Sequence, residues 1–185
     1  AFTTGMFARP FGYEVNLSSS DRESPERGRM SQILMKTERD LGAMATFEPR
    51  SRKDFLRYVK FDAGFFNGQG LTAITDFDSY KDFITRAGIK PYPIGKNVWL
   101  STAVSFFEGG FRQNNQYQYR TTDNGGVPVF KLDSSDANIG TRTPRKYRGA
   151  DAQLKIKSGW GFTELRGEYW QGTQTSTFIS TVTPS

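Results

Sequence analysis

The stretch Phe55-Leu56-Arg57-Tyr58-Val59-Lys60-Phe61-Asp62-Ala63-Gly64-Phe65-Phe66-Asn67 sets the reading of the whole chain. Within it Val59, Phe61, Ala63 and Phe65 alternate with Tyr58, Lys60, Asp62 and Gly64. Successive side chains of a strand point to opposite faces, so a period of two gives one apolar face and one charged face. The same alternation recurs in residues 97–112, where Val98, Leu100, Val104 and Phe106 oppose Ser101, Ala103 and Ser105. In residues 148–157, Ala150, Ala152, Leu154 and Ile156 oppose Asp151, Gln153, Lys155 and Lys157. In residues 162–170, Glu164, Arg166 and Glu168 oppose Thr163, Leu165 and Tyr169. Weaker versions occupy residues 1–16, 41–48 and 83–91, which makes roughly seven strands in all.

The connections between these strands alternate in length. Links 49–53, 92–96 and 158–161 are tight; links 17–40, 68–82 and 113–145 are long and polar, and 172–185 starts another. Strands of about 10 residues joined by short turns at one end and long loops at the other are the pattern of a transmembrane β-barrel. Aromatic residues are expected in two bands, as in barrels ringed at both membrane interfaces. Phe55, Tyr58, Tyr92, Trp99, Trp160 and Phe162 fall near the short turns. Phe65, Phe83, Phe106, Phe107, Tyr147, Tyr169 and Trp170 fall near the long loops. A soluble antiparallel sandwich with an aromatic core is the competing reading, since it alternates equally well, but it does not require the short-long order of connections.

Composition narrows the chemistry. The 185 residues contain no histidine and no cysteine, which removes histidine triads, thiol catalysis, thiolate or histidine zinc sites, iron–sulfur clusters and disulfides. Neither a metal nor a cofactor is expected, and the chain is not expected to be an enzyme. A net charge of +6 favours anionic partners. Because the basic residues are spread out and interleaved with acids, without a compact stripe, a nucleic-acid interface is not expected. No run approaches the roughly 18 consecutive apolar residues that mark a membrane-spanning helix.

One long link carries a helical signal. Ser24 is placed to cap a helix that starts at Pro25, and Met30, Ile33 and Leu34 form an apolar stripe at helical spacing. A short helix is expected over residues 25–35. Its stripe either folds inward onto the wall of a pore, or covers the mouth or a neighbouring subunit.

The run Arg9-Pro10-Phe11-Gly12-Tyr13-Glu14 is followed by Ser18-Ser19-Ser20, by Arg22-Glu23-Ser24-Pro25-Glu26-Arg27 and by Glu38-Arg39-Asp40-Leu41-Gly42. Together they resemble the phosphate-selective porin O and P family in its Bacteroidetes-type outer-membrane form. The later runs Lys146-Tyr147-Arg148-Gly149-Ala150-Asp151-Ala152-Gln153 and Leu165-Arg166-Gly167-Glu168-Tyr169 are similar to that family too. The resemblance implies a closed barrel of about sixteen or more strands, usually a trimer, in the outer membrane of a Gram-negative bacterium. Residues 1–185 are then expected to be the central part of a single barrel domain, because seven strands leave unsatisfied edges in lipid.

If the apolar sets face lipid, Lys60, Arg86, Lys90, Arg112, Lys155, Lys157 and Arg166 are expected to line the lumen with Asp62, Asp151, Glu164 and Glu168. Such a wall either concentrates anions or neutralises itself in cross-strand pairs. The loop over residues 17–40 is the candidate constriction or mouth loop. Arg22, Arg27, Arg29 and Arg39 offer guanidinium forks there, and Ser18, Ser19 and Ser20 add neutral donors. Glu23, Glu26 and Glu38 lie in the same loop and compete for those arginines. The expected function is a passive outer-membrane channel for small hydrophilic solutes, preferring anions such as phosphate. The alternative is a non-conducting barrel serving as a structural component of a larger surface complex. Outer-membrane lipid, small anions and copies of the chain in a trimer, or a membrane complex, are the expected partners.

Overall fold

A computed structural model describes residues 1–22, 24–50, 54–71 and 78–174. Glu23 and parts of the links 49–53, 68–82 and 172–185 lie outside the described residues. Seven strands form one sheet: β1 (Phe2–Ala8), β2 (Arg39–Phe47), β3 (Val59–Phe66), β4 (Asp82–Gly95), β5 (Val98–Arg112), β8 (Arg142–Ser158) and β9 (Gly161–Gln174). Each pairs antiparallel with the next, in the order β1-β2-β3-β4-β5-β8-β9. The fold is therefore antiparallel all-β, with three long connections at one end of the sheet and the short ones at the other. Among the described residues the sheet does not close, and β1 and β9 are its two edges.

The register sorts side chains as the alternation predicts. Phe61 lies opposite Phe47, Ala63 opposite Ala45 and Phe65 opposite Ala43 and Phe83. Further along the same face Val104 meets Ala150, Leu100 meets Leu154, and Leu154 meets Leu165. This outer face is apolar across all seven strands, and its large members, among them Phe2, Met6, Leu41, Phe61, Phe65, Phe106 and Tyr169, are exposed. The inner face holds Asp62, Arg86, Asp151, Gln153 and Arg166, as expected.

Near the long loops the inner face is not a polar wall. Phe66, Ile84, Phe107, Tyr147 and Trp170 lie there fully or almost fully buried, because residues 9–38 fold back over them and insert Phe11, Val15 and Met35. The ring of Phe11 meets Trp170 edge-on at 4.8 Å and the rings of Tyr147 and Phe107 at 6.1 and 6.2 Å. Phe107, Tyr147 and Trp170 thus do not join Phe65, Phe83, Phe106 and Tyr169 in one band. Phe106 and Phe107 are consecutive in a strand, as are Tyr169 and Trp170, so the members of each pair point to opposite faces.

Three boundaries differ from expectation. The helix α1 covers only Arg29–Leu34, and Gly28, not Ser24, stands at its N-cap. Its start is set by a distant carboxylate: Glu14 accepts the Gly28 N–H at 2.6 Å and the Ser31 hydroxyl at 2.5 Å. Arg27 closes the other end by donating to the carbonyls of Met35 and Lys36. Met30 and Leu34 pack on the core, whereas Ile33 is exposed. Residues expected to open the third strand form a 3-10 turn, Phe55–Tyr58, and β3 starts at Val59. Finally, the link 113–145 is not simply loop. It contains a separate hairpin of β6 (Gln118–Asn124) and β7 (Val127–Asp133). Gly125 and Gly126, at φ 66° and 88°, form its two-residue turn, a conformation in which glycine escapes the Cβ clash.

The inserted aromatic should carry much of the stability of this end. Phe11→Ala is expected to lower the unfolding free energy by about 3 kcal/mol. Phe130→Ala, on the hairpin where the side chain is 82% exposed, should change it by less than about 0.5 kcal/mol. Parallel urea unfolding curves of the two variants check the contrast.

Candidate functional site

Two polar clusters lie on the inner face. The one nearer the long loops is fully buried. Asp40, at the start of β2, accepts the N–H groups of Gly68 at 2.7 Å and Gly70 at 3.2 Å. Asp82, at the start of β4, is paired with Arg145 of β8 and accepts the Gly110 N–H at 3.1 Å. Arg145 also donates to the Gly68 carbonyl at 3.0 Å and lies 4.9 Å from the centre of the Phe107 ring. From the inserted loop, Arg9 donates to the carbonyl and hydroxyl of Thr37. Burial, then the neighbouring Arg145, pushes the Arg9 guanidinium down to about 10 against the pull of Asp40 and Asp82, so it is still a cation at neutral pH. Gly109 makes room for the cluster: a Cβ there would lie 1.8 Å from an Asp82 oxygen.

None of Arg9, Asp40, Asp82 and Arg145 was singled out as a candidate site residue from the sequence. The available signal was their inward parity at strand ends, Asp40 with Met44 and Arg145 with Tyr147, together with the glycines of Gly68-Gln69-Gly70. Its connections are those of a fastening, which ties the first and second long connections to the sheet.

The second cluster occupies the middle of the inner face and contains most of the predicted lumen residues. Arg86 donates to both oxygens of Asp151 at 2.8 and 2.9 Å. Lys60 pairs with Asp62 at 3.4 Å, Arg166 with Glu164 at 2.9 Å and Lys90 with Glu48 at 2.9 Å. Self-neutralisation is therefore what these four cations do. Lys155 instead stands 4.5 Å over the Phe162 ring, and among the described residues neither it nor Lys157 has a carboxylate partner. Arg112 must be corrected. The register pairs it with Arg142 on the parity of Glu108 and Lys146, so it lies on the outer face at the strand end, exposed. A cavity of about 260 Å³ beneath the inserted loop brings Lys60, Asp62 and Arg86 together with Tyr13 and Asn16.

The loop candidates divide. Ser18, Ser19 and Ser20 are exposed, and the Ser18 and Ser20 hydroxyls bond each other at 3.0 Å. Arg27 is taken up by the helix carbonyls and by Glu38 at 3.4 Å. Arg39 belongs to β2 and lies on the outer parity with Leu41, exposed. Arg22 and Arg29 remain, without a hydrogen-bond or ion-pair partner among the described residues.

The paired carboxylates of β9 are held by the fold. Glu168 accepts the N–H groups of Tyr13 at 2.8 Å, Glu14 at 3.3 Å and the Trp170 indole at 2.7 Å, and Glu164 is held by Arg166 and Gln153. Among the described residues no group of His, Cys, Asp or Glu is gathered to hold a metal ion.

No family model, curated protein or solved structure matches the chain. Function must therefore be argued from the faces of the sheet and the charges on them.

The buried Asp82–Arg145 pair gives a clear stability test. Asp82→Ala leaves Arg145 buried without its counter-charge and should cost about 3–5 kcal/mol, whereas Asp82→Leu combined with Arg145→Met should recover most of that loss. Thermal unfolding of the single and double variants measures the difference.

Proposed function

We propose that this chain is part of an outer-membrane β-barrel that acts as a diffusion channel for small hydrophilic solutes and favours anions. The observation that carries the reading is the outer face: an apolar surface running across seven antiparallel strands and left exposed. A soluble sheet would bury such a face against a second layer, whereas a membrane strand offers it to lipid. The strands β4, β5, β8 and β9, of 14, 15, 17 and 14 residues, exceed the roughly 9–11 that a tilted strand needs to cross a bilayer. The short-turn and long-loop ends agree with that orientation, as does the resemblance to phosphate-selective porins.

Anion preference rests on Lys155 and Lys157, the inner-face cations without carboxylate partners among the described residues, and on the excess of basic over acidic residues. The paired cations Lys60, Arg86, Lys90 and Arg166 add little net field. Placement in a Gram-negative outer membrane and assembly as a trimer belong to the same proposal. A second reading, a non-conducting barrel that serves a larger surface complex, is favoured by the inserted residues 9–38, which fill the inner face at the long-loop end.

Planar-bilayer recordings separate the two. The channel reading expects ohmic conductance steps and a reversal potential on the anion side in a salt gradient; the scaffold reading expects no steps. Joint Lys155→Glu and Lys157→Glu substitution should move the reversal potential toward cation selectivity without abolishing conductance. An unchanged reversal potential would remove those lysines from the solute path.

A further inference from the structure

Between the inserted loop and strands β8 and β9 lies a second cavity, of about 390 Å³. That is within the range of small-molecule sites, roughly 300–1,000 Å³. Its floor is apolar, made by Tyr13, Leu17 and Met30, and three guanidinium groups, Arg22, Arg29 and Arg166, stand around it.

The hydrogen bonding of this cavity is unbalanced. Both oxygens of Glu14 are occupied by Gly28 and Ser31, and both oxygens of Glu168 by Tyr13, Glu14 and Trp170. Arg166 is anchored by Glu164 and lies 5.1 Å from the centre of the Tyr13 ring. Arg22 and Arg29, by contrast, have no partner among the described residues, and the Arg22 Nε is buried without an acceptor. A buried donor left unpaired is costly, and a guanidinium is matched best by a planar carboxylate or a phosphate. Glu26, also at the rim, is exposed and accepts from Gln32 at 3.4 Å.

We infer that this cavity binds a small organic carboxylate with an apolar body, its charged group on Arg22 and Arg29 and its body on Leu17, Met30 and the Tyr13 ring. A hydrated inorganic anion would use the arginines and gain nothing from the floor. A neutral molecule of the same shape would use the floor and leave the arginines unpaired. The inference concerns the loop that the channel reading treats as its constriction, but it does not depend on conduction.

Isothermal titration calorimetry of the full chain in detergent micelles tests it, with 3-phenylpropanoate as probe and 3-phenylpropanamide and inorganic phosphate as comparisons. Saturable binding at one site is expected, about tenfold or more weaker for the amide, and about tenfold weaker in each of Arg22→Gln and Arg29→Gln. Met30→Gln should weaken the phenyl compound as well. Unchanged unfolding temperatures in the arginine variants, which break no bond among the described residues, keep the comparison clean. Absence of saturable binding, equal affinity for the amide, full displacement by inorganic phosphate at similar concentration, or indifference to the arginine substitutions would each overturn the inference. Because binding is read without a bilayer, its failure leaves the channel reading standing, and silent bilayers leave a positive titration intact.

Discussion

Alternation of side chains along an antiparallel register is the constraint on which the structure depends. A shift of one residue in any strand would carry its apolar set to the opposite face. Six strands keep one parity throughout and β4 keeps it as far as Ile89, so that Phe61, Phe65, Val104, Ala150 and Leu165 share one surface and Asp62, Arg86, Asp151 and Arg166 share the other. Among the described residues the irregular ladder is that between β4 and β5, where the register shifts beyond Ile89 and again beyond Pro93. Pro91 and Pro93 cannot donate to a ladder, and they lie close to the short turn, where little depends on the pairing.

The second organising event is the return of residues 9–38 onto the inner face. Phe11 is held by packing, and Glu168 receives the backbone N–H groups of Tyr13 and Glu14 just beyond it. Hydrogen bonds from a loop backbone to a carboxylate on the far strand replace water that the insertion excludes. The buried Arg9, Asp40, Asp82 and Arg145 group then ties the second long connection to the same end. The result is a sheet with a dry half near the long loops and a wet, charged half toward the short turns.

Much of this was legible in the sequence, and the gaps have definite causes. The seven strands of the main sheet and its outer face followed from the period of two. Arg112 was misplaced because its parity matches Val98 and Phe106, which a count along residues 97–112 discloses. The hairpin around Gly125-Gly126 was passed over because its long link was read as polar loop, although two consecutive glycines are a strong turn signal. The helix start was missed for another reason: Ser24 and Pro25 are sound local signals, but Glu14 captures Gly28 and Ser31 from another part of the loop. Of the named loop arginines, Arg27 and Arg39 were drawn into structural roles, and among the described residues Arg22 and Arg29 have no hydrogen-bond or ion-pair partner.

By itself the sequence determined which residues share a face and at which end the long connections lie, because both depend on local period and spacing. Only the tertiary structure decided which face the first long loop covers, and which charges are cancelled. Arg145 and Asp82 stand 63 residues apart, Arg86 and Asp151 65, and Tyr13 and Glu168 155. No local pattern records such meetings, since each is set by which strands pair and how the loop packs upon the sheet.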